Sequence, residues 1–281
     1  MQTEKASSDR SVSSSTWPAG MNGAPLADLL ADSKWSYAND PFPHIRVEQV
    51  FIDSTYSQLL AAFRETYSRS NAGRPEAERL VFLKGNFDAY LMPFKPSLSG
   101  PLSLFVSRAW VDLLSKVTGV SATRDVNGAL HCHPTGSKDG FIHKDFSSCW
   151  FVDKPRPDGI NVANNEICNY RTGAVSIPGT VAQERVRAVA MIYYINNPPW
   201  SPGDGGETGL YRTDHDPIHQ PAVAIPPINN TMLIFECSPH SHHSFISNLR
   251  NPRSSIVMWL HRTKPDTVAK WGENSIVYVK G

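Results

Sequence analysis

Two stretches of the chain concentrate side chains that can bind a metal ion. In GFIHKDF, residues 140–146, His143 and Asp145 stand two positions apart among apolar neighbours. On a strand, Phe141, His143 and Asp145 share one face, and Ile142, Lys144 and Phe146 take the other. An imidazole and a carboxylate would then point together, with Lys144 turned away. Taken alone, the spacing describes the wet face of a surface strand at least as well. About a hundred residues on, ECSPHSHHSFISNLRNPRSSIVMWLH holds His240, His242 and His243, then Arg250 and Arg253. A histidine from this cluster would complete two imidazoles and one carboxylate on one face of a metal. That set suits non-haem Fe(II), because it leaves coordination positions open. A structural zinc site closes its positions and favours sulfur, which is not at hand here. Arg253 follows His243 by ten positions (253 − 243), and on a strand Ser255 shares its face. A guanidinium beside a hydroxyl makes a receptor for a carboxylate, since its donor fork can hold both oxygens.

These residues need elements to carry them. The 281 residues are 40% hydrophobic, 19% charged and 10% aromatic, enough for one large domain with a substantial core. Net charge is +1, so nothing points to nucleic acid or to an anionic membrane as partner. No apolar run has the roughly 18–20 residues of a membrane span. The first residues, MQTEKASSDRSVSSSTW, lack the apolar stretch of a secretory signal. Cys132, Cys149, Cys168 and Cys237 form no C-x-x-C pair, which argues against a disulfide framework and for a reducing, cytoplasmic setting.

Residues 1–40 are rich in Ser, Ala, Asp and Gly and read as a flexible arm, with a short helix at 24–31. PFPHIRVEQVF reads as a strand entering the core. DSTYSQLLAAFRETYSR reads as a helix capped by Asp53 or Ser54, with Leu59, Leu60 and Phe63 as its apolar stripe. PLSLFVSRAWVDLLSKVTG reads as a second helix, with Pro101 in its first turn and Gly119 just past its end. After Gly119 come short β-type runs separated by Gly, Pro and Asn, among them GALHCH, RAVAMIYYIN, TMLIFE and SSIVMWLH. Helices first and strands after predict an α+β domain over 41–281, a jelly roll with helices packed on one sheet. The Pro- and Gly-rich stretch 152–186 interrupts the strands and is expected to be a lid insertion.

Four segments, in order, resemble the 2-oxoglutarate- and Fe(II)-dependent dioxygenases, in particular their prolyl-4-hydroxylase-like branch, over about residues 120–262. HPTGSKDGFIHKD resembles the strand carrying His-x-Asp. YYINNPPWSPGDGGETGLYR resembles the family's Tyr-Leu-Asn followed by Gly-Gly-Glu-Thr. LIFECSPHSHHSF resembles the strand and turn bearing the distal histidine, and RSSIVMWLH the strand with the cosubstrate arginine. The resemblance implies a double-stranded β-helix (cupin-like jelly roll). It implies His143, Asp145 and His243 as iron ligands and catalytic centre, with His243 preferred because Pro239, Ser241 and His243 match Pro-x-Ser-x-His. It implies Arg253 and Ser255 as holders of the distal carboxylate of 2-oxoglutarate. One departure is His133, which stands where the family often has a cosubstrate-binding Tyr; an imidazole can donate the same hydrogen bond.

The activity so implied uses Fe(II), 2-oxoglutarate and O2, with ascorbate as an auxiliary reductant, and hydroxylates an unactivated C–H with release of succinate and CO2. Asp145 favours hydroxylation over halogenation, since the related halogenases lack the carboxylate. Lys154, Arg156, Arg171, Arg185 and Arg187 outnumber Asp153, Asp158, Glu166 and Glu184 in and beside the insertion. That excess points to a small, anionic substrate such as an amino acid or natural-product intermediate. Desaturation, epoxidation or cyclisation on the same site, prolyl hydroxylation of a protein, and a non-catalytic jelly-roll binding module are the alternatives.

Overall fold

The structure, a computed structural model, describes residues 24–68, 81–83 and 89–278. Among them the strands are, in chain order, β1 (Trp35–Ala38), β2 (His44–Val47), β3 (Val81–Leu83), β4 (Ala89–Pro93), β5 (Asp125–His133), β6 (Ser148–Val152) and β7 (Asn161–Val162), then β8 (Ala182–Tyr194), β9 (Thr208–Tyr211), β10 (Val223–Ile225), β11 (Thr231–Glu236), β12 (His242–Phe245) and β13 (Arg253–Thr263). The helices are α1 (Leu26–Leu29), α2 (Asp53–Ser68), α3 (Arg108–Thr118) and α4 (Lys264–Trp271).

From Val186 to Tyr194 only Arg187 breaks an apolar run, the pattern of a strand covered on both faces. The run is the middle of β8, flanked by β11 and β13 in a large sheet ordered β1-β2-β11-β8-β13-β5-β4-β3, with β6 on β8 and β7 on β5. Met191 and Tyr193 turn to one side. There, with Leu130, Met232, Ile234, Ile256 and Met258, they meet Leu59 and Phe63 of α2 and Trp110 and Leu114 of α3. Ala190, Ile192 and Tyr194 turn to the other side. There they meet Leu233, Phe235, Val257 and Trp259 and, from the small sheet β10-β9-β12, Leu210 and Ile225. Two sheets face to face with helices on the outer side of one make the α+β jelly roll expected from the sequence.

Two local expectations are corrected, and the 152–186 stretch gains detail. Residues 1–23 of the expected arm lie outside the described residues, but 24–40 are not loose. Leu29 is buried, Ala31 N–H donates to the Val50 carbonyl, and β1 pairs antiparallel with β2. Backbone pairing holds this segment rather than an apolar period, since β1 is mostly exposed. The second helix is divided: Pro101–Val106 is a 3-10 turn, and α3 starts afresh at Arg108. Ser107 makes the break, its Oγ donating to the Leu104 carbonyl at 2.7 Å and accepting from Trp110 N at 3.3 Å. A serine that satisfies the backbone on both sides ends one turn and caps the next. The stretch 152–186 is folded into the protein. It contains β7, and its Ala163 and Tyr170 form a small core with Cys149 and Phe151.

Candidate metal and cosubstrate site

GFIHKDF is extended and joins β12 of the small sheet through a bridge between His143 and His243 and through Gly140 N–H, which donates to the Phe245 carbonyl at 2.9 Å. The two residues exchange backbone hydrogen bonds, His143 N to His243 O at 3.0 Å and His243 N to His143 O at 2.8 Å. Their rings are thereby side by side, 4.4 Å between centroids. The same alternation separates the neighbouring histidines. His243 is inside, in register with Leu210; His242 lies opposite Tyr211 and is half-buried; His240 is exposed. Lys144 turns away from the pair and its Nζ donates to the Pro239 carbonyl at 3.4 Å.

Both imidazoles are oriented alike. His143 Nδ1 is 2.9 Å from the Phe141 carbonyl and His243 Nδ1 is 3.1 Å from that of Ser241. A carbonyl only accepts, so each Nδ1 carries a proton and each Nε2 is turned inward. Both Nε2 atoms face Asp145: His143 Nε2 is 3.9 Å from Oδ1, and His243 Nε2 is 3.5 Å from Oδ2. One ligand atom from each of the three residues falls within 4.8 Å of the others. Burial, then the neighbouring His243, pushes the His143 pKa down to about 4, so it stays neutral at pH 7. Burial pushes the Asp145 carboxyl up, but Arg187, ahead of the two histidines, holds it well below the usual carboxylate range. Two imidazoles and a carboxylate turned on one another make a set of metal-ligating atoms lacking a common partner. A divalent cation fits that set.

The carboxylate is gripped from behind. Arg187 Nη1 donates to Oδ1 and Trp259 Nε1 to Oδ2, each at 2.7 Å, and the guanidinium lies 4.0 Å over the Trp259 ring. Such outer partners orient a metal-binding carboxylate and leave its other lone pairs for the ion. In sequence Arg187 is one of the cations in and beside the 152–186 insertion. Arg187 lies 42 positions from Asp145 and Trp259 lies 114, separations that no local pattern spans.

Along the same side of β13 lies Arg253, 4% exposed. No described carboxylate pairs with it. Its Nη2 donates to Thr208 Oγ1 at 3.1 Å, its Nε has no partner, and Tyr194 and Phe245 flank it at 5.3 and 5.4 Å. Ser255, two residues on, has a buried Oγ that likewise lacks a partner. A buried cation beside an idle hydroxyl is a receptor for an anion. Tyr194, not Tyr193, faces this space, and its hydroxyl is 2.7 Å from Thr208 Oγ1. Thr208 is brought there by Gly205 and Gly206, whose φ values are 77° and 83°; a Cβ on Gly205 would strike the Ser247 carbonyl. His133 is paired with Arg253 across the ladder and stacks on Phe245, 4.0 Å between centroids. His131, which the sequence reading passed over, sits in register with Ser255. Burial, then Arg253, pushes its pKa down to about 3.

Residues 166–261 match the family model of the 2OG-Fe(II) oxygenase superfamily. Over 82 residues the chain is 38% identical to prolyl 3,4-dihydroxylase OGFOD1 from Ostreococcus tauri, a stretch covering 27% of this chain and 16% of that protein. Among solved structures, a Pseudomonas putida prolyl-4-hydroxylase aligns with a TM-score of 0.49 at 18% identity, covering 85% of this chain and 99% of that one. A Trichoplax adhaerens prolyl hydroxylase, solved with a hypoxia inducible factor oxygen degradation domain peptide fragment, aligns at 0.47 and 18%, covering 81% and 86%. No described helix is long and apolar enough to cross a membrane.

Proposed function

We propose that the chain is a 2OG-Fe(II) oxygenase, on the match of residues 166–261 to that superfamily's model, and that it hydroxylates an aliphatic C–H, with the ring of a prolyl residue in a peptide as the favoured substrate. The carrying observation is the convergence of His143, Asp145 and His243 beside a buried arginine that no described carboxylate neutralises. In this reading the two Nε2 atoms and the Asp145 carboxylate hold Fe(II). Arg253 and Ser255 receive the far carboxylate of 2-oxoglutarate, with the Thr208 and Tyr194 hydroxyls alongside and His133 as a further donor. When bound, Fe(II), 2-oxoglutarate and O2 supply the oxidation and release succinate and CO2. The protein supplies orientation: Arg187 and Trp259 fix Asp145, and the apolar walls Ile192, Val257 and Phe235 exclude water.

The prolyl reading is supported by the 38% identical stretch shared with a prolyl dihydroxylase. The case for a small anionic substrate is weaker than the charge count suggested. Arg185 is bound to Asp125 and Arg187 to Asp145 at 2.7 Å, and Arg156 lies 3.7 Å from Asp158. Those cations are largely spent inside the protein. The test is incubation with Fe(II), 2-oxoglutarate and air against a library of proline-containing peptides and one of small carboxylates, read by mass gain of one oxygen and by succinate. Gain on peptides, lost in His143→Ala and Asp145→Ala, is expected. Gain on small carboxylates alone would return the substrate to the small-molecule class. Full substrate-dependent succinate production by either alanine variant would refute the site.

A further inference from the structure

The stretch between β6 and β8 sends one tyrosine into the interior. Tyr170 is 6% exposed, and its ring meets Phe151 and His261 edge-on at 5.5 and 5.7 Å between centroids. The backbone holds it in place: Trp150 N–H donates to the Tyr170 carbonyl at 2.9 Å, and Tyr170 N–H donates to Asn165 Oδ1 at 3.0 Å. The hydroxyl stands 2.7 Å from His261 Nε2 and 3.1 Å from Arg187 Nε.

The direction of every proton along this line is determined. His261 Nδ1 is 2.8 Å from the backbone carbonyl of Asp125 on β5. That carbonyl only accepts, so Nδ1 carries the proton and Nε2 a lone pair. The Tyr170 O–H must then donate to Nε2. Its oxygen is left to accept from Arg187 Nε–H, and Arg187 Nη1–H donates to Asp145 Oδ1 at 2.7 Å. Each donor meets an acceptor, from a strand carbonyl to the carboxylate in the site. The Trp259 face 4.0 Å away fixes the plane of the guanidinium, but a flat ring leaves it free to turn in that plane. The Tyr170 hydroxyl is the contact that stops the turn.

We infer that Tyr170 is a positioning residue for the metal-binding carboxylate: through Arg187 it sets the angle at which Asp145 meets the ion, and the stretch expected to be a lid serves as an interior strut. This rests on Asp145 being a metal ligand, as proposed above. It goes beyond that reading by assigning a role to a segment outside the ligand-bearing strands.

The test is anaerobic titration of the metal-free protein with Co(II), read by its visible absorption, in wild type, Tyr170→Phe, Arg187→Lys, the double variant and Asp145→Ala. Loss of an outer partner of a metal ligand typically weakens binding by about 10- to 100-fold. Tyr170→Phe should weaken Co(II) binding by about 10-fold and change the shape of the absorption band. A lysine cannot reach both the hydroxyl and the carboxylate as the guanidinium fork does. Tyr170→Phe should therefore add nothing in the Arg187→Lys background. Wild-type Co(II) affinity and spectrum in Tyr170→Phe would overturn the inference. So would effects that multiply in the double variant, or a metal-free Tyr170→Phe protein that no longer melts cooperatively, since the tyrosine would then act on folding alone. Wild-type Co(II) binding by Asp145→Ala would instead overturn the ligand assignment.

Discussion

Replacing Arg253 with methionine should make the protein more stable and, at the same time, unable to respond to 2-oxoglutarate. The guanidinium is 4% exposed with no described carboxylate partner, and its Nε has no acceptor. Withdrawing an ion from water costs several kcal/mol even after relaxation. The compensation available is one charged hydrogen bond to Thr208, about 1.5–3 kcal/mol, and the Tyr194 and Phe245 faces, about 0.5–2 kcal/mol. Methionine follows the same path as an unbranched chain, keeps the packing and removes the charge. Arg253→Met should thus gain about 1–2 kcal/mol without ligand, which at about 2–4 °C per kcal/mol is a rise of roughly 2–8 °C in melting temperature. Wild type should gain about 2.7 kcal/mol at a hundred times its Kd for 2-oxoglutarate, and the variant close to nothing. The order of melting temperatures therefore inverts on adding the cosubstrate. Thermal melts in oxygen-free buffer with Mn(II), with and without 2-oxoglutarate, read both effects. If Arg253→Met melts below wild type without ligand, or keeps the ligand-induced rise, Arg253 is not an unsatisfied cation awaiting a carboxylate.

Among the neighbouring histidines, His243→Ala should lose Co(II) binding while His242→Ala and His240→Ala keep it within about threefold, because only His243 faces Asp145; equal losses would assign the third ligand wrongly. Ser107→Ala removes the cap that starts α3 and should cost about 1 kcal/mol. Its melting temperature should fall by about 2–4 °C with Co(II) binding unchanged, and an unchanged melt would mean that the 3-10 turn and α3 are not joined through that hydroxyl.

Periodicity explains what could be read in advance. His143 and Asp145 two apart, and Arg253 and Ser255 two apart, lie on chain that alternates sides, so a face could be assigned to each pair before any partner was known. His243 needed more. Periodicity does not rank His242 against His243; the Pro-x-Ser-x-His match favoured His243, and the β12–β9 register puts His242 opposite Tyr211 and His243 opposite Leu210. The break at Ser107 depends on a serine hydroxyl that bonds the backbone on both sides, and the ordering of β1 on its pairing with β2; neither leaves an apolar period behind.

Charge counting is a weaker guide for a different reason. A run of cations in a sequence reports how many positive groups exist, not which of them are already neutralised. Arg185 and Arg187 stand two apart on β8, both turned inward, and each finds an aspartate at 2.7 Å. Asp125, which receives Arg185, also presents the backbone carbonyl that sets the proton on His261. Arg185 and Arg187, two of the five cations counted, therefore belong to the frame behind Asp145. The uncompensated positive charge that the site does hold is Arg253, a residue whose neighbourhood in the sequence is not notably basic. The arrangement does not require an anionic substrate, because the carboxylate proposed to meet Arg253 is that of the cosubstrate.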